Sequence, residues 1–103
     1  MNGTAVADEQ ENKSSPENYR LLQNYPNPFN PKTAISYQLS AVSDVELSIY
    51  NLLGQNVATL VSATQSAGSY NIEWDGAAFS SGVFFCRLEA GEFVKVIKLL
   101  LVK

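Results

Sequence analysis

Ile35-Ser36-Tyr37-Gln38-Leu39 (ISYQL, residues 35–39) alternates apolar and polar side chains at every step. A strand turns successive side chains to opposite faces, so period two describes a ribbon with one face buried and one face wet. The same rhythm recurs downstream. Val45, Leu47 and Ile49 alternate with Glu46 and Ser48, and Tyr70, Ile72 and Trp74 alternate with Asn71 and Glu73. Gln55 to Val61 is a shorter candidate; Val57 to Ala63 has the spacing of a helical turn, but Val and Thr favour the strand. Val83 to Ala90 has aromatics pointing both ways, as a central strand would, and Phe93 to Val102 closes the chain, with Val94, Val96, Ile97 and Leu99 to Val102 expected to bury apolar surface.

Turn signals separate these runs: Ser40 to Asp44, Asn51 to Gly54, Ala67-Gly68, Asp75-Gly76, Ser80 to Gly82 and Ala90-Gly91. Short strands at this spacing, with no convincing helical stripe, predict an all-β antiparallel sandwich. A length of 103 residues allows one core and no second domain. Apolar residues at 46% against charged residues at 17% place the chain among globular proteins. The predicted folded part is residues 19–103. Residues 1–18 read as a flexible acidic linker, with Asp8, Glu9, Glu11 and Glu17 against the single Lys13 and too little apolar surface to offset ordering entropy. From Arg20 onward basic and acidic side chains cancel, which leaves no electrostatic footprint for nucleic acid.

Histidine is absent, which removes the commonest general base and the commonest metal ligand. Cys86 stands alone, so neither an internal disulfide nor a zinc site is expected, and no cofactor is implied. Residues 1–18 lack the basic start and apolar run of a signal peptide. The longest apolar run, Leu99 to Val102, is far too short to span a bilayer, so no membrane insertion is expected.

Several motifs admit two readings. Ser81 to Cys86 superficially resembles the strand of an antibody domain that carries a corner Tyr and a Cys, but Phe84 has no hydroxyl. Cys86 therefore reads as a small buried thiol on a core strand. Trp74-Asp75-Gly76 reads as a core indole followed by an Asx turn, with Gly76 supplying a positive φ. Its alternative is an aromatic sugar platform beside a carboxylate, against which alternation places Trp74 on the core face with Ile72 and Tyr70. Gly54, Gly68 and Gly82 mark the other turns. Asp44, Glu46, Glu73, Asp75, Glu89 and Glu92 lack calcium-loop spacing and fit solvated outer-face charges better than a hydrolase pair, so no catalysis is expected. Lys95, Lys98 and Lys103 punctuate the last strand; they protect an exposed edge, offer a basic end to a partner, or do both.

Asn24 to Pro31, NYPNPFNP, fits no regular element: Asn24, Asn27 and Asn30 with Pro26, Pro28 and Pro31 enclose Tyr25 and Phe29. Taken in order with VELSIYNLLGQNVATLV, AGSYNIEWDG, SSGVFFCRLEAGEF and the terminal KVIKLLLVK, it closely resembles the C-terminal sorting domain of the type IX secretion system of Bacteroidetes and related phyla. The resemblance covers residues 19–103 and departs at Phe84 and Cys86, where the family often has Tyr or another aromatic.

The resemblance implies an Ig-like sandwich of about seven strands that acts as an export signal for an upstream cargo domain. It implies passage through the periplasm, recognition by an outer-membrane translocon, and a sortase-like surface peptidase that attaches cargo to anionic lipopolysaccharide. The chain would be substrate in those steps, with its signal peptide far upstream. NYPNPFNP would then be a pre-organised recognition segment, since Pro fixes φ, Asn before Pro is pushed to extended geometry, and Tyr25 and Phe29 would pin it to the sandwich rim. A structural lid over one end of the core is the other reading. Two further functions compete: an Ig-like carbohydrate-binding or adhesion module, which needs a row of exposed aromatics, and a structural domain like that of flagellar hook-capping proteins.

Overall fold

The computed structural model describes residues 18–103, and the expected acidic linker falls almost wholly outside the described residues. Seven strands follow one another: β1 (Arg20–Leu21), β2 (Lys32–Leu39), β3 (Ser43–Tyr50), β4 (Asn56–Gln65), β5 (Gly68–Asp75), β6 (Gly82–Ala90) and β7 (Phe93–Leu101). They form a three-stranded sheet ordered β1-β2-β5 and a four-stranded sheet ordered β4-β3-β6-β7, every pairing antiparallel. Two such sheets face to face are an Ig-like sandwich, as the alternation predicts.

The alternating residues account for the core. Ile35, Tyr37 and Leu39 of β2 face Leu47 and Ile49 of β3, Cys86 and Leu88 of β6, and Leu99 and Leu101 of β7, all fully buried. Tyr37 keeps its hydroxyl satisfied by donating to Gln65 Oε1 at 2.6 Å. One end of the sandwich is closed by rings. Trp74 lies 5.7 Å from Phe29, 5.7 Å from Phe79 and 5.4 Å from Phe84 by centroid, spacings at which tilted and edge-on aromatic pairs are favourable. Trp74 is 4% exposed, so it is a core residue and not a sugar platform.

Four expectations need correction. β4 runs to Gln65, not Val61, because Ser62, Thr64 and Gln65 pair with β3 although their side chains are polar. The period-two signal fails there for a reason: Leu47 pairs with Val61 and Ser48 with Thr59, leaving Leu60 as an extra residue, and Val57 is extra in the same way. The phase of β7 is the second correction. Ile97, Leu99 and Leu101 are buried, whereas Val94, Val96, Leu100 and Val102 are exposed on the outer face. Gly76 is the third, since its φ is not positive. Its small size serves a close approach, for its N–H donates to Pro31 O at 2.8 Å and a Cβ there would meet Leu101 Cδ2 at 3.3 Å. The fourth is Tyr25, which is 80% exposed and pins nothing with its ring.

Candidate functional site: the Asn/Pro clamp on the last strand

Asn24 is 2% exposed, and a buried amide must be hydrogen-bonded. Its Nδ2 donates to Pro26 O at 3.1 Å and to Thr33 Oγ1 at 2.9 Å, while the Thr33 hydroxyl donates to Pro26 O at 2.8 Å. Gln23 Nε2 donates to Asn24 Oδ1 at 2.6 Å. This network ties the start of NYPNPFNP to β2. Tyr25 adds a two-way backbone bridge with Ala34, at 3.0 and 2.9 Å. The Tyr25-Pro26, Asn27-Pro28 and Asn30-Pro31 bonds are cis.

The second half of the segment belongs to the other sheet. Phe29 N–H donates to Leu100 O and Phe29 O accepts from Val102 N–H, each at 2.9 Å, a parallel bridge onto the outer edge of β7. Asn27 Oδ1 accepts from Leu100 N–H at 3.0 Å, and Gln23 Nε2 donates to Lys98 O at 2.9 Å. The Phe29 ring drops into the core at 1% exposure, under Leu101 and beside Trp74. NYPNPFNP is thus a clamp between the sheets: backbone bridges hold it to both, and one ring anchors it. Pro26, Asn27, Pro28, Asn30 and the Tyr25 ring remain on the surface.

The three lysines do not form one patch. Lys98 projects from the outer face of β7 next to the clamp, and its carbonyl is part of the clamp. Lys95 has the inward parity of Ile97 but is exposed, and it pairs across the sheet with Leu88. Lys103 turns to the β5–β6 connection, where its backbone N–H donates to Ser81 Oγ at 2.9 Å and its Nζ to Ala77 O at 2.6 Å.

Sequence reasoning missed two features. Gln23 couples Asn24 to β7 from just outside the motif; its amide beside a run of Asn and Pro was the available signal. Leu52 and Leu53 stand 67% and 82% exposed at the β3–β4 turn. Asn51 Oδ1 accepts from Leu53 N–H at 2.9 Å and Gln55 N–H at 3.0 Å, so the side chain of one Asn holds the turn, and Gly54 supplies φ of 83°. Beside the turn, Tyr50, Phe85, Arg87 and Val96 line an open apolar groove of about 370 Å³. Two leucines inside a turn are the sequence sign of it.

The acidic residues fit the outer-face reading. Asp44, Glu46 and Glu89 border a shallow cleft of about 460 Å³ beside Ser62 and Thr64, with Thr64 Oγ1 donating to Asp44 Oδ1 at 2.6 Å. Glu73 and Asp75 are exposed on β5, and Asp75 Oδ1 accepts from Ala77 N–H at 2.9 Å, the expected Asx turn. A family model described as the secretion system C-terminal sorting domain matches residues 23–103, the clamp and six of the seven strands. No curated protein matches the chain.

Proposed function

We infer the working surface of this domain from one premise: the chain belongs to the secretion system C-terminal sorting domain family and is a sorting signal of type IX secretion. The family travels with cargo on its N-terminal side, and its destination is the cell surface or the extracellular space. The surface that the translocon reads is the clamp together with the outer half of β7: the Tyr25 ring, Pro26, Asn27, Pro28, Asn30, Pro31 and Lys98, with Lys103 at the end.

One observation carries this reading. Two stretches that lie far apart in the chain, NYPNPFNP and the terminal strand, are hydrogen-bonded to one another through Phe29, Asn27 and Gln23. A receptor that meets this surface therefore checks the first and last parts of the domain at once, and meets them only in the folded state. The segment is held at both ends before binding, so little ordering cost falls on the encounter. In this reading the cargo passes through the periplasm, and a sortase-like surface peptidase acts on the chain after export, with the domain as substrate.

The carbohydrate-binding alternative is not favoured, because Trp74 and Phe29 are buried in the core and leave no row of exposed rings among the described residues. The test is a periplasmic reporter fused in front of residues 19–103 in a type IX host. The parent fusion should reach the cell surface and Tyr25→Ala should be retained inside, with both folded by circular dichroism. Equal export of the two removes the Tyr25 ring from the recognition surface.

A further inference from the structure

Four strands lie at sheet edges with ladder partners on one side alone: β1, which is only two residues long, and β4, β5 and β7. An open edge is a row of N–H and C=O groups ready to pair with another strand, and proteins blunt such edges with charge, bulges or cover. β5 carries Glu73 and Asp75. β7 carries Lys95 and Lys98, and Phe29 and Asn27 cover its far half. β4, Asn56–Gln65, is the longest of the four and has no charged residue in NVATLVSATQ. Its first half is blunted in another way, by the extra residues Val57 and Leu60. Its second half has neither device. From Val61 to Gln65 the register against Leu47 to Ser43 is unbroken, Ser62, Ala63 and Thr64 are exposed, and no backbone bond reaches its outer side among the described residues.

We propose that the Val61–Gln65 edge is a pairing site for a second copy of this chain. The copies run antiparallel about a two-fold axis at Ala63, with Val61 opposite Gln65 of its partner and Ser62 opposite Thr64, so that the two four-stranded sheets continue into one. Backbone chemistry fixes the occupant as a strand, and charge selects the copy. Self-pairing of β5 or β7 doubles the acidic or basic charge along the joint, whereas β4 brings none. The nearest carboxylates, Asp44 and Glu46, lie one strand further in. Across the joint they are three strand spacings from their counterparts, about 14 Å, which exceeds the screening length of about 8 Å at physiological salt. Ser62 facing Thr64 supplies the polar cross-strand pairs that suit an exposed joint.

Sedimentation equilibrium of the full chain, from micromolar to millimolar, tests this. The expected result is a reversible rise in mass from 11.3 kDa to its double. Ala63→Lys places a lysine against its own copy and should raise the dimer Kd by at least about tenfold. The exposed-turn variant Leu53→Lys should leave it unchanged. Ala63→Cys should oxidise to a disulfide-linked dimer, because directly opposed residues of an antiparallel pair stand at about 4.5–5.5 Å between Cα atoms, within disulfide reach. A monomer at every concentration overturns the proposal. So does a dimer that survives Ala63→Lys, or one that Leu53→Lys abolishes.

Discussion

At Cys86 the thiol is fully buried on β6, and burial pushes its pKa from an ordinary 9.0 up to about 12. The thiol should therefore resist a disulfide reagent at pH 8 in the native protein and react once urea unfolds it. The shift also has a sign. Between pH 9 and 12 the folded state keeps a proton that the unfolded state gives up, so stability present below pH 9 is lost as pH rises, by at most about 1.4 kcal/mol per unit. Burial raises the Tyr37 hydroxyl in the same direction. Unfolding free energy should fall across that window, and Cys86→Ala should make the fall shallower; an unchanged slope would contradict the assignment. Gly76 offers a second test at this scale. Gly76→Ala puts a methyl 3.3 Å from Leu101 Cδ2 and 3.5 Å from Phe29 Cε2, both in the core, and should cost about 1–2 kcal/mol by urea denaturation. Gly82→Ala meets nothing within 4 Å at an ordinary φ and should stay within about 0.5 kcal/mol.

Among the elements, the clamp separates folding from recognition through its two rings. Phe29→Ala empties a site that is 1% exposed and should destabilise the domain by about 3–5 kcal/mol, a large share of a small domain's stability. Tyr25→Ala removes a ring that is 80% exposed and should change stability by about 0.5 kcal/mol or less. Thermal melting of the two variants checks both; a large loss at Tyr25 would mean that its ring is part of the core after all. The same pair shows what the sequence makes legible. ISYQL, VELSI and YNIEW give their strands directly, because one wet face and one dry face enforce period two. The bulged β4 hides its second half because each extra residue reverses the phase, and polar Ser62 and Thr64 cannot restore it. On β7 the run Leu99 to Val102 is apolar on both faces, so composition alone cannot say that Leu100 and Val102 face outward. The aromatics within NYPNPFNP look alike in sequence. Only the tertiary bridge from Phe29 to Leu100 and Val102 decides which one goes in.

On the scale of the whole molecule, the first and last blocks of the sequence meet on one side of the sandwich, and the lysines divide around that meeting point. Lys98 stands beside the clamp, Lys103 reaches the β5–β6 connection, and Lys95 is exposed earlier on β7 with the opposite parity. Edge protection depends on charge along the strand and would be weakened by the loss of any of them. Recognition depends on position, so it should weight Lys98 above Lys95. Each Lys→Gln change is a surface substitution expected to shift stability by about 0.5 kcal/mol or less. A lost charge-assisted hydrogen bond to a receptor costs about 1.5–3 kcal/mol, roughly tenfold to a hundredfold in affinity. In the reporter fusion, Lys98→Gln should therefore lower the amount at the surface more than Lys95→Gln, and the triple variant should fall furthest while remaining folded. Deleting Leu99 to Lys103 is a different lesion. It removes two fully buried leucines and the backbone partners of Phe29, so it should abolish folding together with export. Equal export of Lys98→Gln, Lys95→Gln and the parent would leave the lysines as edge protection alone, with recognition carried by the Asn/Pro clamp.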